Sequence, residues 1–82
     1  MVKYADIKSK KLRKRLFRWL VGTGEISIEE GSKHTKIEHI RTGKKYTIPT
    51  SHNVVNKHIV KGLMKWLIVL KVCKQEEFDN HL

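Results

Sequence analysis

The spacing of the apolar residues changes twice along this 82-residue chain. The apolar positions follow a helical period up to about residue 21, a twofold period from residue 26 to residue 48, and a helical period again from residue 59. Gly22 and Gly24 lie at the first change, and Pro49 lies at the second. The pattern therefore predicts two helices separated by a short sheet.

Each predicted helix has one apolar stripe and one basic face. The first helix is expected from Ser9, as its N-cap, to Val21, and the second helix begins after the N-cap Asn56. We expect both stripes to be buried against the sheet. The first stripe consists of Leu12, Leu16, Trp19 and Leu20, and the second of Ile59, Leu63, Trp66, Leu67 and Leu70.

Three short strands are expected between the helices, at residues 25–29, 34–41 and 45–48. Which face of the second strand is buried stays open, because Ile37 and Ile40 lie on opposite faces of it. Residues 51–55 are expected to form a loop. The acidic segment after residue 74 is a candidate for a short third helix, anchored by Phe78 and Leu82.

This order of elements predicts an α+β fold, a two-layer α-β-β-β-α sandwich with a three-stranded antiparallel sheet. Double-stranded-RNA-binding domains have the same order. A chain of this length has room for one hydrophobic core, so we expect a single domain over residues 1–82. Its core is expected at about residues 9–70, with an acidic C-terminal tail at residues 74–82.

The chain is strongly basic, with 18 Lys and Arg against 8 Asp and Glu and a net charge of +10. Such a charge favours a polyanionic partner, above all a nucleic acid, although an acidic protein fits equally well. Lys57, Lys61 and Lys65 form a row one turn apart on the second helix and are candidates for binding phosphates. No apolar stretch is long enough to span a membrane, so no membrane partner is expected.

Cys73 is the single cysteine of the chain. This excludes a disulfide within the chain and any zinc site that is built on two or more cysteines. It favours a reducing, cytoplasmic location. No group of histidines or carboxylates has the spacing of a metal motif, so the sequence predicts no metal site and no cofactor.

The segment from Gly31 to Lys36 places a histidine at the start of a strand, after a turn and between lysines. Histidine is the usual proton carrier for cleaving RNA without a metal, with the 2′-hydroxyl as the nucleophile. Lys36 lies about 7 Å further along the same face as His34. Lys33, Lys36 and the backbone N–H groups of Gly31 and Ser32 are candidates to hold the phosphate. The alternative that His34 is an ordinary surface residue stays open.

Further features follow this segment in a fixed order. They are a hairpin turn with glycine, a strand that closes on proline, a second histidine and a helix. In this chain the set consists of Gly31-Ser32-Lys33-His34, Thr42-Gly43-Lys44, Tyr46-Thr47-Ile48-Pro49, His52, and the helix with Leu63 and Leu67. In this set the sequence resembles the HicA-type toxins of bacterial and archaeal toxin–antitoxin pairs, over about residues 12–70.

The resemblance implies an mRNA interferase with a double-stranded-RNA-binding-like fold. It implies that His34 is the catalytic histidine and that a HicB-type antitoxin covers it. Many members of that family carry a second histidine where this chain has Lys33. Because this chain lacks that histidine, His52 or a lysine would have to protonate the leaving 5′-oxygen.

Three hypotheses follow for the function. The first is a metal-independent ribonuclease toxin that cleaves mRNA, with His34 as general base or acid. The second is an RNA-binding module without catalysis, and the third is a subunit that docks an acidic protein. We expect a monomer when the chain is alone and a hetero-oligomer with the antitoxin.

Overall fold

The computed structural model describes residues 4–51 and 53–82. The described chain contains both helices and strands, and the α+β class with a three-stranded antiparallel sheet is confirmed. Residues 9–22 form one continuous helical segment, which includes a five-residue π-helical turn (Arg13–Phe17). The order is β1 (Ile7–Lys8), α1 (Ser9–Leu12), the π-turn, α2 (Arg18–Gly22), β2 (Ile26–Glu30), β3 (His34–His39), β4 (Lys45–Pro49), β5 (Val54–Val55), α3 (Lys57–Val69) and α4 (Gln75–Asn80).

The central sheet has the order β2-β3-β4, with both pairs antiparallel. Ile37 of β3 is the Cα partner of Ile28 on one side and of Tyr46 on the other. The face that carries Ile37 is buried, which answers the question that the sequence left open. Ile40 is 57% exposed because β3 ends at His39, where a turn closed by the Gly43 N–H and the His39 carbonyl begins.

The helices cover the buried face of the sheet and complete one apolar core. Burying one aliphatic side chain in such a core stabilises the fold by roughly 1.5–3 kcal/mol. No helix within residues 4–51 and 53–82 is long and apolar enough to cross a membrane. The fully buried core residues include Leu12, Leu16 and Leu20 of the first helical segment, Ile26, Ile37 and Ile48 of the sheet, and Val60, Leu63 and Leu67 of α3.

The buried stripe of α3 is rotated by about one residue from the predicted one. Val60 and Met64 are buried, whereas Ile59 and Trp66 of the predicted stripe are only partly buried. Asn56 is the N-cap, as expected, and its side chain accepts a hydrogen bond from the His58 N–H at 2.7 Å. The rotation brings a row at i, i+3 and i+4 spacing against the core.

The start of the first helix differs from the sequence prediction. Ser9 is the first helical residue and is buried, and the N-cap position belongs to Lys8. The reason is a two-stranded pairing that the sequence analysis missed, in which Lys8 is the Cα partner of Val54. The predicted loop at residues 51–55 was therefore wrong for its last two residues, which form β5.

The C-terminal helix α4 packs against α3, and its end also contacts the first helical segment, where the Arg15 guanidinium donates a hydrogen bond to the Asn80 carbonyl at 3.3 Å. Phe78 is fully buried, so the core extends beyond residue 70. The Tyr4 hydroxyl donates a hydrogen bond to Asp79 Oδ1 at 2.6 Å, and burial together with this carboxylate raises the pKa of Tyr4 to about 12. The His81 ring stacks on Trp19, with ring centroids 4.1 Å apart. Residues 75–82 are thus part of the packed domain.

A tyrosine and a glycine fit together between the sheet and α3. The Tyr46 hydroxyl donates a hydrogen bond to the Ile59 carbonyl at 3.3 Å, and burial raises the pKa of Tyr46. A Cβ atom at Gly62 would lie only 2.5 Å from the Tyr46 hydroxyl oxygen. Glycine in a helix interior costs about 0.5–1 kcal/mol relative to alanine. The glycine at position 62 is explained by the space that the Tyr46 hydroxyl occupies.

Removing the Phe78 ring tests whether α4 stabilises the domain. Phe78→Ala is expected to lower the free energy of unfolding by about 3–5 kcal/mol, because it leaves a cavity in the core. Val69→Ala is the matched control, since Val69 is 76% exposed and its truncation should change stability by less than about 0.5 kcal/mol. The measurement is urea unfolding followed by circular dichroism. Equal midpoints for the two variants would contradict the docking of α4.

Candidate functional site

The connection between β2 and β3 is a tight turn that presents three exposed residues. The Gly31 N–H donates a hydrogen bond to the His34 carbonyl at 2.8 Å and closes the turn. A Cβ atom at Gly31 would lie 2.9 Å from that carbonyl oxygen, so only glycine fits without displacement. Ser32, Lys33 and His34 are exposed. The N–H of Gly31, expected to bind phosphate, is instead engaged in the turn.

An open cleft of about 250 Å³ lies beside this turn. Five of the residues that the sequence analysis selected line it together, and Glu29 lines it as well. The cleft can hold an anionic group between its lysines and its imidazole. The lining residues are Glu29, Gly31, Ser32, Lys33, His34 and Lys36.

The outer face of the sheet positions the side chains of the cleft. His34 and Lys36 occupy alternate positions of β3 and so lie on the same face, opposite to the buried Thr35 and Ile37. Lys36 is the Cα partner of Glu29 in β2. Glu29 is therefore a diagonal cross-strand neighbour of His34, at a separation of about 7–8 Å that long side chains can bridge. The imidazole, the ammonium and the carboxylate converge on one space.

Glu29 is the residue of the cleft that the sequence analysis missed as a functional candidate. The adjacent pair Glu29 and Glu30 gave no metal motif, and neither residue was connected to His34. The feature that identifies Glu29 is the register of the hairpin formed by β2 and β3. With the turn at residues 31–33, Lys36 lies opposite Glu29. Only the structure fixes that register.

Backbone hydrogen bonds hold the turn against the chain that follows β4. The Lys33 carbonyl accepts from the Thr50 N–H at 3.0 Å and from the Ser51 N–H at 3.1 Å. The Thr35 and Thr50 hydroxyls form a buried hydrogen bond of 3.0 Å. These contacts fix the position of the cleft relative to the core. His52, the auxiliary candidate, lies outside the described residues.

The lysines of the cleft form no ion pair with a carboxylate among residues 4–51 and 53–82, although Glu29 lines the same space. The single ion pair in this part of the chain joins Arg13 Nε to Glu30 Oε1 at 3.1 Å. No ion pair therefore occupies Lys33 or Lys36, and both ammonium groups can contact a ligand. An unpaired cation close to a developing negative charge is the arrangement that stabilises a transition state in phosphoryl chemistry.

The lysine row of α3 is exposed but does not line the cleft. Lys57, Lys61 and Lys65 lie in the helical layer, which covers the buried face of the sheet, whereas His34 belongs to the outer face. The structure therefore separates the predicted site residues into a cleft and a second basic surface.

Other groups with reactive side chains do not join the cleft. His39 is buried on the opposite face from His34, and its Nδ1 lies 2.8 Å from the Thr42 hydroxyl. The Cys73 thiol is buried, and burial together with the nearby Glu77 raises its pKa to about 11, so it is a poor nucleophile. The described part of the chain contains no cluster of three or more His, Cys, Asp or Glu side chains that could hold a metal ion.

No protein-family model matches the chain, and neither a curated protein nor a solved structure matches it. The interpretation of the cleft therefore rests on its own residues and geometry. These are an imidazole, a carboxylate and two ammonium groups around an open space on a basic domain.

The tight turn at Gly31 gives a test of the site geometry. Gly31→Ala is expected to lower the free energy of unfolding by about 1–3 kcal/mol, because the new methyl group meets the His34 carbonyl and the backbone must shift. Gly22→Ala is the matched control, since nothing lies within 4 Å of a Cβ atom there. Thermal unfolding of both variants is the measurement. A Gly31→Ala variant as stable as Gly22→Ala would contradict the described turn.

Proposed function

We propose that this protein is a ribonuclease toxin of the HicA type, an mRNA interferase that cleaves RNA by histidine chemistry without a metal ion. The observation that carries the proposal is the exposed His34 beside Lys33 and Lys36 in one open cleft. The net charge of +10 supports a nucleic acid as the substrate. The proposal includes the double-stranded-RNA-binding-like fold and a cytoplasmic location.

The proposed reaction is an internal displacement at phosphorus. The 2′-oxygen of the ribose forms a bond to the adjacent phosphorus atom, and the bond from phosphorus to the 5′-oxygen of the next nucleotide breaks. The products are a 2′,3′-cyclic phosphate and a free 5′-hydroxyl. The step needs one group that accepts the proton of the 2′-hydroxyl and one that donates a proton to the leaving 5′-oxygen.

Glu29 and His34 are the two groups that we assign to these proton transfers. An ionised carboxylate is only an acceptor, whereas an imidazolium is a donor. Glu29 therefore takes the proton of the 2′-hydroxyl, and His34 in its protonated form supplies the proton to the leaving oxygen. This assignment fills the role that the resemblance left to His52 or to a lysine.

The phosphate is held by the remaining groups of the cleft. Lys33 and Lys36 neutralise the charge that develops on the non-bridging oxygens. The Ser32 hydroxyl and N–H lie on the exposed turn and add uncharged donors. The proposed partner protein is a HicB-type antitoxin that covers His34 and so blocks access of RNA to the cleft.

A second candidate function is an RNA-binding module without catalysis. The observation in its favour is the exposed row of Lys57, Lys61 and Lys65 on α3, away from the cleft. Such a row contacts successive phosphates and gives salt-dependent binding. This candidate predicts RNA binding with no shortened products after long incubation.

Removing the imidazole tests the proposed function. His34→Ala is expected to lower the rate of RNA cleavage by at least about 100-fold, since general acid–base catalysis contributes roughly 10²–10⁴-fold. The measurement is the release of fragments from a labelled RNA in buffer with EDTA, together with bacterial growth during expression. Cleavage by the parent is expected to persist in EDTA.

His58→Ala is the matched control, because His58 is exposed and lies outside the cleft. It should cleave as the parent does. Full activity of His34→Ala would reject the histidine assignment. Loss of parental cleavage in EDTA with recovery in Mg²⁺ would reject the metal-independent mechanism.

Removing the carboxylate tests the second proton carrier. Glu29→Gln keeps the shape of the side chain but cannot accept the proton, so the rate constant of cleavage in single-turnover assays should fall by at least about 100-fold. Glu76→Gln is the charge-matched control, because Glu76 is exposed on α4. Parental activity of Glu29→Gln would show that another group accepts the proton.

A further inference from the structure

A second groove lies between the start of the first helical segment and the chain that follows β4. Its volume is about 570 Å³, larger than that of the cleft beside His34. It contains three cationic side chains and no carboxylate among its lining residues. These residues are Lys8, Ser9, Lys10, Arg13, Thr50 and Asn53.

Backbone contacts hold the two walls of this groove together. The Ser9 N–H donates a hydrogen bond to the Asn53 carbonyl at 2.8 Å. Directly beside it, Lys8 and Val54 are Cα partners in the pairing of β1 with β5. Paired backbone thus fixes the position of Lys8, and Lys10 and Arg13 extend from the helical segment that follows it directly.

The groove is adjacent to the cleft beside His34, and two contacts connect them. The Thr50 N–H, in the wall of the groove, donates to the carbonyl of Lys33, which lines the cleft. Arg13, in the other wall, pairs with Glu30, the residue directly before Gly31. Glu30 and Thr50 lie on the helix side of the sheet, whereas His34 and Lys36 lie on its outer face, so a polymer that occupies both sites passes around the turn at residues 31–33.

The charges of the groove favour an anionic occupant. Within residues 4–51 and 53–82, no acidic side chain pairs with Lys8 or Lys10. Arg13 pairs with Glu30 on the surface, where the two side chains are 41% and 49% exposed. Exposed ion pairs contribute only about 0–1 kcal/mol, so a phosphate can replace Glu30 as the partner of Arg13. Guanidinium binds phosphate through two parallel hydrogen bonds.

We propose that this groove is a second phosphate-binding subsite for a single RNA strand. Lys8, Lys10 and Arg13 bind phosphates of the same strand whose scissile phosphate lies beside His34, and in this respect the inference rests on the proposed function. The subsite adds affinity for long RNA and leaves the chemical step unchanged. Arg13 exchanges Glu30 for a phosphate when RNA binds.

The test compares a substrate that fills only the cleft with one that reaches the groove. The double variant Lys8→Gln, Lys10→Gln is expected to lower kcat/KM for a single-stranded RNA of about a dozen nucleotides at least tenfold, mainly through KM. Its kcat/KM for a dinucleoside monophosphate should match that of the parent. The control variant Lys11→Gln, Lys44→Gln removes the same charge from exposed positions outside both sites.

Equilibrium binding of a non-cleavable 2′-O-methyl RNA separates this inference from the proposed function. The groove variant should bind this RNA at least tenfold more weakly than the control variant, whether or not the parent cleaves RNA. Equal affinities would overturn the subsite even if His34→Ala abolishes cleavage. An equal loss of kcat/KM on the short and long substrates would overturn it as well.

Glu30→Gln tests the exchange at Arg13. Releasing Arg13 from its carboxylate partner is expected to tighten binding of the 2′-O-methyl RNA about threefold or more. Glu76→Gln changes the net charge equally but lies outside the groove, so it should leave the affinity within twofold. Equal effects of the two substitutions would overturn the role of Arg13.

Discussion

The burial of Ile37 at the centre of the middle strand determines which side chains of the sheet are free to act. Successive residues of a strand point to opposite faces, and a slip of one residue would reverse every side chain of β3. With Ile37 fully buried between Ile28 and Tyr46, His34 and Lys36 must point outward. The helices stabilise this arrangement because they cover only the inner face. The candidate cleft is therefore a consequence of core packing.

The fold could be predicted from the sequence where local patterns decide it. The helical and twofold periods gave the α+β class, and Asn56 gave the start of α3, because an N-cap acts on its own first turn. The pairing of β1 with β5 was missed, since it joins two short segments that are far apart in the sequence. The π-turn at Arg13–Phe17 was missed as well, and nothing in the residue types of that segment distinguishes it from an α-helix.

The residues of the central motif of the candidate site could be predicted from the sequence, but the residues that surround this motif in space could not. Gly31, Ser32, Lys33, His34 and Lys36 are close in the sequence, so one short segment was enough to select them. Glu29 belongs to the opposite strand, and its place depends on a register that only the hairpin geometry fixes. Lys8 and Lys10 are separated from Thr50 by some forty residues, so no sequence pattern could place them in one groove. The neighbours of a site come from tertiary structure, whereas its central motif is local.

The close fit of Tyr46 and Gly62 couples two positions that are sixteen apart in the chain. Any side chain at position 62 would occupy the space of the tyrosine hydroxyl, whereas a smaller residue at position 46 would leave room beside the helix. Substitutions at the two positions should therefore be tolerated in pairs more readily than singly. In sequences that share this fold, we expect a large aromatic residue at the first position to occur together with glycine at the second. That covariation would be a sequence signature of how closely α3 approaches the sheet.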